Sequence, residues 1–165
     1  MQFSEGQTLI HPQHGPATVT EVFDRSVNGE SRRYIQFRVH GTDLRIAVPV
    51  EKADAVGLRS VCTAAQIQEL LDLLRAPTCE EEETWPRRFK ANSERLRIGD
   101  LLLTAGVVRD LVRRQEKHGL SPGEKDMLKH ARPPVLAELA LALSLTDGET
   151  EELFNSAILG ERQVA

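Results

Sequence analysis

The chain has 165 residues, of which 40% are hydrophobic, and a formal net charge of −4; these totals predict a globular protein of one or two small domains and exclude nucleic-acid binding over its whole surface. Its two cysteines, Cys62 and Cys79, form no CxxC pair, which argues against a disulfide framework and against a zinc site. The first residues lack a signal-peptide pattern and no apolar run approaches the ~20 residues of a membrane span, so we expect a cytoplasmic protein.

Residues Thr8 to Pro49 show the pattern of short β-strands. Ala17 to Phe23 is rich in β-branched residues and largely alternates apolar with polar side chains. Asn28-Gly29 predicts a hairpin, because both central positions of a type I′ turn need a positive φ. On the returning strand, one face carries Ile35, Phe37 and Val39, and the other carries Tyr34, Gln36 and Arg38. Several short antiparallel strands in so short a segment predict a small barrel.

After Val61 the hydrophobic period changes to that of helices. Thr63 can cap a first helix, which Pro77 stops. The apolar stripe of this helix consists of Ile67, Leu70, Leu71 and Leu74. The acidic run Glu80 to Glu83 follows, and we interpret it as a solvated loop; its functional alternative is a brake on non-specific phosphate binding or a surface that faces a partner.

Further helix starts are predicted at Thr84, Asp100, Ser121 and Thr146. Ser121-x-x-Glu124 and Thr146-x-x-Glu149 have the spacing of capping boxes. Pro133-Pro134 is expected to break or restart the helix that contains it, since proline removes an N–H and clashes with the preceding turn. The sequence therefore predicts an α+β protein, with a small antiparallel β-barrel in residues 1–55 and a bundle of about five α-helices in residues 62–160.

Trp85, the only tryptophan, opens a basic helix that runs to about Arg97. Its cations are Arg87, Arg88, Lys90, Arg95 and Arg97, against the single acid Glu94. An aromatic residue at the head of a cationic helix can wedge between bases while its neighbours hold phosphates. The alternative is a core tryptophan with the arginines solvated on the other face. Helical spacing makes Phe89 and Leu96 the expected core residues and leaves Trp85 off their face, which favours an exposed indole.

Enzyme chemistry is the least favoured class, because the chain has no phosphate loop, no dinucleotide fingerprint, no nucleophile elbow and no H-E-x-x-H helix. No catalytic residue and no cofactor are predicted. His11 and His14 could offer two metal ligands, but a metal site needs three or four. We interpret this segment as a turn that histidine hydrogen bonds stabilise, and we expect no metal.

Two other groups of cations are present. The helix after Asp100 carries Arg109, Arg113, Arg114 and Lys117, which we interpret as a solvated face with local ion pairs. The β module carries Arg25, Arg32, Arg33, Arg38 and Arg45. Such a module is typical of protein docking, in which a strand pairs with the sheet of a partner. It is equally compatible with a barrel that only supports the helical domain.

Two segments of the chain resemble a known family when they are taken together. They are Trp85-x-Arg87-Arg88-Phe89-Lys90-Ala91-Asn92 and Gly119-Leu120-Ser121-x-Gly123-Glu124-Lys125-x-Met127-Leu128, with shorter matches at Pro12-x-His14-Gly15 and Val48-Pro49. In these segments, and in register over about residues 1–132, the chain resembles the CarD family of bacterial RNA polymerase-binding transcription regulators.

The resemblance implies a Tudor-like (SH3-like) N-terminal domain that docks on the RNA polymerase β subunit. It also implies a helical domain that reaches promoter DNA at the upstream edge of the melted bubble. Trp85 matches the tryptophan that wedges into the minor groove, and Arg87 and Lys90 match residues that hold the DNA backbone. With Arg88, these residues form the predicted DNA-binding set. On the polymerase side, Arg25 matches a docking arginine.

The chain departs from the family pattern in two places. A second docking arginine is Ala47 here, so the grip on polymerase is expected to be weaker or to be carried by Arg45. Pro133-Pro134 interrupts a stretch that usually continues as a helix. We expect a monomeric, non-enzymatic regulator that associates with the nucleoid through RNA polymerase and has no membrane partner. The alternative is a protein-interaction module in which Trp85 is packed inside and does not touch DNA.

Overall fold

The computed structural model of the chain describes residues 2–79 and 84–160. The chain divides into two compact units, Met1–Val61 and Cys62–Ala165. The first contains the strands and the second contains the helical bundle, so the predicted α+β fold class is confirmed. The acidic run Glu80 to Glu83 lies outside the described residues. Within the described ranges, no helix combines the length and the apolar character needed to cross a membrane.

The N-terminal unit is a five-stranded antiparallel sheet with the strand order β4-β3-β2-β1-β5. Its strands are β1 (Thr8–His11), β2 (Gly15–Val27), β3 (Glu30–Val39), β4 (Arg45–Pro49) and β5 (Arg59–Ser60). A 3₁₀ turn (Val50–Lys52) and the short helix α1 (Ala53–Val56) connect β4 to β5. The predicted hairpin is confirmed: Asn28 and Gly29 have φ angles of 53° and 83° and join β2 to β3.

One face of this sheet forms the core of the N-terminal unit. Ile35, Phe37 and Val39 of β3 are buried there, as their alternation predicted. The other members of this core are Leu9, Ala17, Val19, Val48, Ala53 and Leu58. A register shift between Val19 and Glu21 marks a β-bulge in β2.

In the described residues of the C-terminal unit there are five helices. They are α2 (Ala64–Arg75), α3 (Trp85–Ile98), α4 (Leu101–Lys117), α5 (Pro122–Leu143) and α6 (Asp147–Leu159). Helix α4 contacts each of the other four. The side chains of the N-cap residues Thr63, Asp100, Ser121 and Thr146 accept the predicted capping bonds, whereas the side chain of Thr84 caps nothing at the start of α3.

The predicted break at Pro133-Pro134 is wrong, because α5 continues through both residues. Both prolines lie on the exposed side of the helix. The turns that follow them bury Val135, Glu138 and Leu139, and Glu138 Oε1 accepts a hydrogen bond of 3.0 Å from the Cys62 N–H. Packing on the buried side therefore keeps the helix continuous across residues that locally disfavour it.

The interpretation of the α4 cations as a solvated face is wrong for Arg109 and Arg113. Arg109 does form a local ion pair with Asp110 (2.8 Å), but it is buried and donates to the Leu73 carbonyl. Arg113 donates to the Leu74 and Ala76 carbonyls at the end of α2 and to the Ile158 carbonyl in α6. Burial, and then the charge of Arg109, lower the pKa of Arg113. Both arginines donate to carbonyls near the C-terminal end of α2, where backbone acceptors lack the full set of helical partners.

The two internal prolines of α5 should cost stability. We expect Pro133→Ala and Pro134→Ala each to raise the free energy of unfolding of the helical unit by about 1–3 kcal/mol, because alanine restores an N–H donor and removes the clash with the preceding turn. Pro122→Ala is the matched control at the first position of the same helix, where proline is tolerated and no gain is expected. Denaturant unfolding followed by circular dichroism measures all three. An equal gain for Pro122→Ala would contradict this explanation.

Candidate nucleic-acid interface

Trp85 is the first residue of α3, and its side chain is 55% exposed. The indole and the Phe89 ring form a T-shaped pair, with ring centroids 6.3 Å apart and an interplanar angle of 74°. Exposure of the indole was predicted, but the reason given for it was wrong. Trp85 precedes Arg88, Phe89 and Asn92 by three, four and seven positions, so it shares their helical stripe. It is exposed because it is the first residue of the helix.

The stripe of α3 that faces the bundle is more polar than predicted. Its buried residues are Arg88 and Asn92, while Phe89 and Leu96, the predicted core residues, are half-buried. Leu96 packs against the bundle core. Asn92 Oδ1 accepts a hydrogen bond of 3.2 Å from Arg95. A buried polar stripe implies that specific hydrogen bonds, and not only apolar contact, hold this helix.

Arg87 and Lys90, two of the predicted DNA contacts, are exposed. They lie three positions apart, on the side of α3 away from the bundle. Neither forms an ion pair within the described part of the chain. Two accessible cations therefore flank the exposed indole in the first two turns of α3.

Arg88, the remaining member of the predicted DNA-binding set, lies elsewhere. Its side chain is buried (7% exposed), and its Nε donates to Glu124 Oε1 of α5 over 2.7 Å. Glu124 is itself 1% exposed. A guanidinium held in this way is not free to bind phosphate. Breaking such a buried pair typically costs about 3–5 kcal/mol, because one charge is left without its partner.

Glu124 uses both of its carboxylate oxygens. Oε1 accepts from Arg88, while Oε2 accepts from the backbone N–H and the hydroxyl of Ser121, at 3.0 Å each, and closes the capping box of α5. Burial alone would raise the pKa of Glu124, but the hydrogen bond from Arg88, those from Ser121 and the charge of Arg88 lower it. The carboxylate is therefore ionised at neutral pH, and one side chain joins the start of α5 to α3.

Gly123, the residue before Glu124, lies against the Phe89 ring. A Cβ atom at position 123 would stand 3.2 Å from Phe89 Cε2. Glycine thus allows the ring to approach the first turn of α5 more closely than another residue would. Arg88, Phe89, Gly123 and Glu124 together form what we call the α3–α5 cluster, and Trp85 rests on its Phe89.

The predicted polymerase-binding residues of the β unit, Arg25 and Arg45, are both exposed. Arg25 lies opposite Arg32 and Arg45 opposite Arg38 on β3, so they share the outer face of the sheet but stand about 20 Å apart. Two aromatic residues lie between them on that face: Phe23 and Tyr34 stack with ring centroids 5.7 Å apart.

Ala47, at the position where the family resemblance implies a second docking arginine, is exposed on the edge strand β4, opposite Gln36. It lies on the same outer face, two residues from Arg45 along the strand. An arginine at position 47 would therefore project from the face that carries Arg25 and Arg45.

The histidine segment forms the predicted turn. The Nδ1 atom of the buried His11 accepts hydrogen bonds from the backbone N–H groups of Gln13 (3.1 Å) and His14 (3.3 Å). Burial, and then the proximity of His14, lower the pKa of His11. Among residues 2–79 and 84–160, no three His, Cys, Asp or Glu side chains are grouped so that they could hold a metal ion.

The two units match models of two domains that belong to one class of protein, transcription factors that interact with RNA polymerase. Residues 3–62 match the CarD-like/TRCF RID domain, and residues 69–155 match the CarD C-terminal domain. The chain belongs to the CarD family, which is non-enzymatic. A relative from Bacillus subtilis (strain 168), named "Putative transcription factor YdeB", is 23% identical over 145 residues, which cover 88% of this chain and 95% of the relative.

Sequence reasoning missed the Arg88–Glu124 pair and the role of Gly123. In the sequence, Arg88 is one cation among several, and Ser121 to Glu124 is complete as a local capping box. One signal was available. Arg88, Asn92 and Leu96 recur at helical spacing, which places Arg88 on the side that packs.

Acid should weaken the contribution of Glu124 to stability. Because its pKa is lowered in the folded state, its contribution is complete above its usual value of 4.5 and is lost as the pH falls through the lowered value. We expect Glu124→Gln to cost about 3 kcal/mol at neutral pH, and the difference from the parent protein to shrink below about pH 4.5. Denaturant unfolding over a pH series measures it.

Glu149→Gln is the matched control for this series, since Glu149 holds the corresponding place in the capping box of α6 but is exposed. It should cost well under half as much, because no buried charge loses its partner. Equal costs for the two substitutions would contradict the assigned role of Arg88.

Proposed function

We propose that the protein docks on the RNA polymerase β subunit through its β unit and stabilises the open promoter complex with its helical unit. Trp85 inserts into the minor groove at the upstream edge of the melted DNA, and Arg87 and Lys90 hold the flanking backbone. The observation that carries the proposal is the exposed indole at the first position of α3, which packs against the Phe89 ring.

The energetic basis is differential binding. A ligand shifts an equilibrium only as far as it binds one state better than the other. An indole that enters a groove between bases fits distorted, unstacked DNA and not the closed duplex. Insertion of Trp85 would therefore lower the free energy of the open complex relative to the closed one.

The cations have a supporting part in this mechanism. Arg87 and Lys90 supply sequence-independent contacts to phosphate. Arg88, which was predicted as a third contact, acts instead through Glu124. With a net charge of −4, the protein would bind DNA weakly by itself, and docking on polymerase supplies the high local concentration that the contact needs.

The alternative is a protein-interaction module in which Trp85 is packed inside and does not touch DNA, so burial of Trp85 is one of its requirements. An indole that is 55% exposed does not meet that requirement. No other observation favours this alternative, so we do not propose it.

Loss of the indole should shorten the lifetime of the open complex. We expect Trp85→Ala to reduce the lifetime roughly tenfold, since stacking of an aromatic on a base is worth about 1–3 kcal/mol. Competitor-challenge decay of open complexes, followed by filter binding or by the fluorescence of a labelled promoter, measures it. Binding to polymerase should not change.

Ile98→Ala is the matched control for this experiment. Ile98 is the last residue of the same helix, is 69% exposed and is also a large apolar side chain. It should leave the lifetime within about twofold of the parent value. Equal lifetimes for the parent protein and Trp85→Ala would refute the wedge.

The polymerase side can be tested by a gain of function. We expect Ala47→Arg to tighten binding to polymerase several-fold at low salt, because it adds a fifth cation to the face of Arg25, Arg32, Arg38 and Arg45. We expect Arg45→Ala to weaken binding. Both effects should diminish as the salt concentration rises. Titration of labelled protein with RNA polymerase measures them.

Arg33→Ala is the control for charge alone, since Arg33 is exposed, alternates with Arg32 to the other face of β3 and pairs with Asp24. It should leave binding nearly unchanged. A loss equal to that of Arg45→Ala would show that net charge, and not this face, governs docking.

A further inference from the structure

We infer that the first turn of α5 orients Trp85, so that Arg88, Gly123 and Glu124 are positioning residues for the indole. The inference rests on the proposed function, because an oriented indole matters to a wedge. It arises from the α3–α5 cluster: Glu124 binds Arg88, Gly123 allows the close approach of Phe89, and the Phe89 ring forms a T-shaped pair with Trp85.

A comparison of two helix starts within the chain isolates this role. Helices α5 and α6 begin in the same way, with a capping box and a glycine at the second helical position, Gly123 and Gly148. A Cβ atom at Gly148 would meet nothing within 4 Å, whereas one at Gly123 would meet the Phe89 ring at 3.2 Å. Capping a helix therefore does not require glycine at this position, but the approach of Phe89 does.

The capping glutamates of α5 and α6, Glu124 and Glu149, also differ in whether they contact α3. Glu149 is exposed and caps α6, while Glu124 is buried and also binds Arg88. A buried ion pair contributes little net stability compared with an apolar pair of the same volume, and its best-attested effect is to specify one geometry. Within the pair, Arg88 is one position from Phe89 and three positions from Trp85. The pair therefore fixes the turn of α3 that carries the indole.

If the Trp85 side chain is already oriented in the free protein, its insertion into DNA should be more favourable. A side chain that is already ordered loses less rotamer freedom on binding. Arg88 and Gly123 would then affect the open complex without touching DNA. Disorder of an intact indole should shorten the lifetime of the open complex by about two- to tenfold, less than its removal.

The fluorescence anisotropy decay of the free protein reports the order of the indole directly, because Trp85 is the only tryptophan. We expect Gly123→Ala, which displaces Phe89, to increase the amplitude of the fast depolarisation, and Gly148→Ala to leave it unchanged. Alanine favours helix over glycine at both positions, so both variants should fold. Phe89→Leu is the second variant, since it removes the ring below the indole and keeps the Arg88–Glu124 pair.

A general structural role would change stability without changing the anisotropy decay. The inference is overturned if Gly123→Ala and Phe89→Leu both retain the decay of the parent protein. The open-complex assay then distinguishes the proposed wedge function of Trp85 from the orienting role of α5. If Trp85→Ala leaves the lifetime unchanged while Gly123→Ala and Phe89→Leu alter the decay, the proposed function fails and the orienting role of α5 stands. If both experiments succeed, the Gly123→Ala lifetime should lie between those of the parent protein and Trp85→Ala.

Discussion

The buried ion pair between Arg88 and Glu124 is the contact on which the geometry of the candidate interface depends. Helix α3 begins without a side-chain cap from Thr84, so its first turn lacks the local bonds that fix the starts of α2, α4, α5 and α6. Arg88 supplies a tertiary bond in their place, and Glu124 passes that constraint to the capping box of α5. Because hydrogen bonds between charged groups are directional, the pair specifies which residues of α3 face α5 and where its first residue emerges. Trp85 is exposed because it is the first residue of α3, and the ion pair accounts for the defined position at which it emerges.

Sequence reasoning succeeded where structure is decided within a few residues. The Asn28-Gly29 hairpin, the alternation of β3 and the capping boxes are each complete within a short segment, and each was predicted correctly. It failed where the environment of a side chain depends on a partner far away in the sequence. Arg88 finds Glu124 across 36 positions, and Arg113 finds carbonyls at the end of α2, so both looked like solvated cations. At Pro133-Pro134 the local rule was sound, but burial of the following turns outweighed it.

The resemblance to the CarD family has a structural basis within the helical unit. Its two most specific segments, one around Trp85 and one from Gly119 to Leu128, are separate in sequence but share the α3–α5 cluster. Glycine and glutamate of the second segment contact arginine and phenylalanine of the first. Each segment alone has an ordinary reading, as a basic helix or as a capped helix start. Their contact turns two weak motifs into one three-dimensional unit, which explains why only the combination was specific.

The electrostatics of the chain limit how it can use DNA. Among the described residues of the first two turns of α3, Arg87 and Lys90 are the accessible cations. Two phosphate contacts give a salt dependence of binding with a slope of about −1.8 in log units. Such a contact cannot compete for DNA against the acidic charge of the whole protein unless another interaction brings it there. The proposed docking on polymerase and the proposed wedge on one chain would meet this requirement, because docking would make the weak DNA contact an intramolecular event. Since neither an indole in the minor groove nor a cation on phosphate reads sequence well, the shape of the DNA would decide where Trp85 binds.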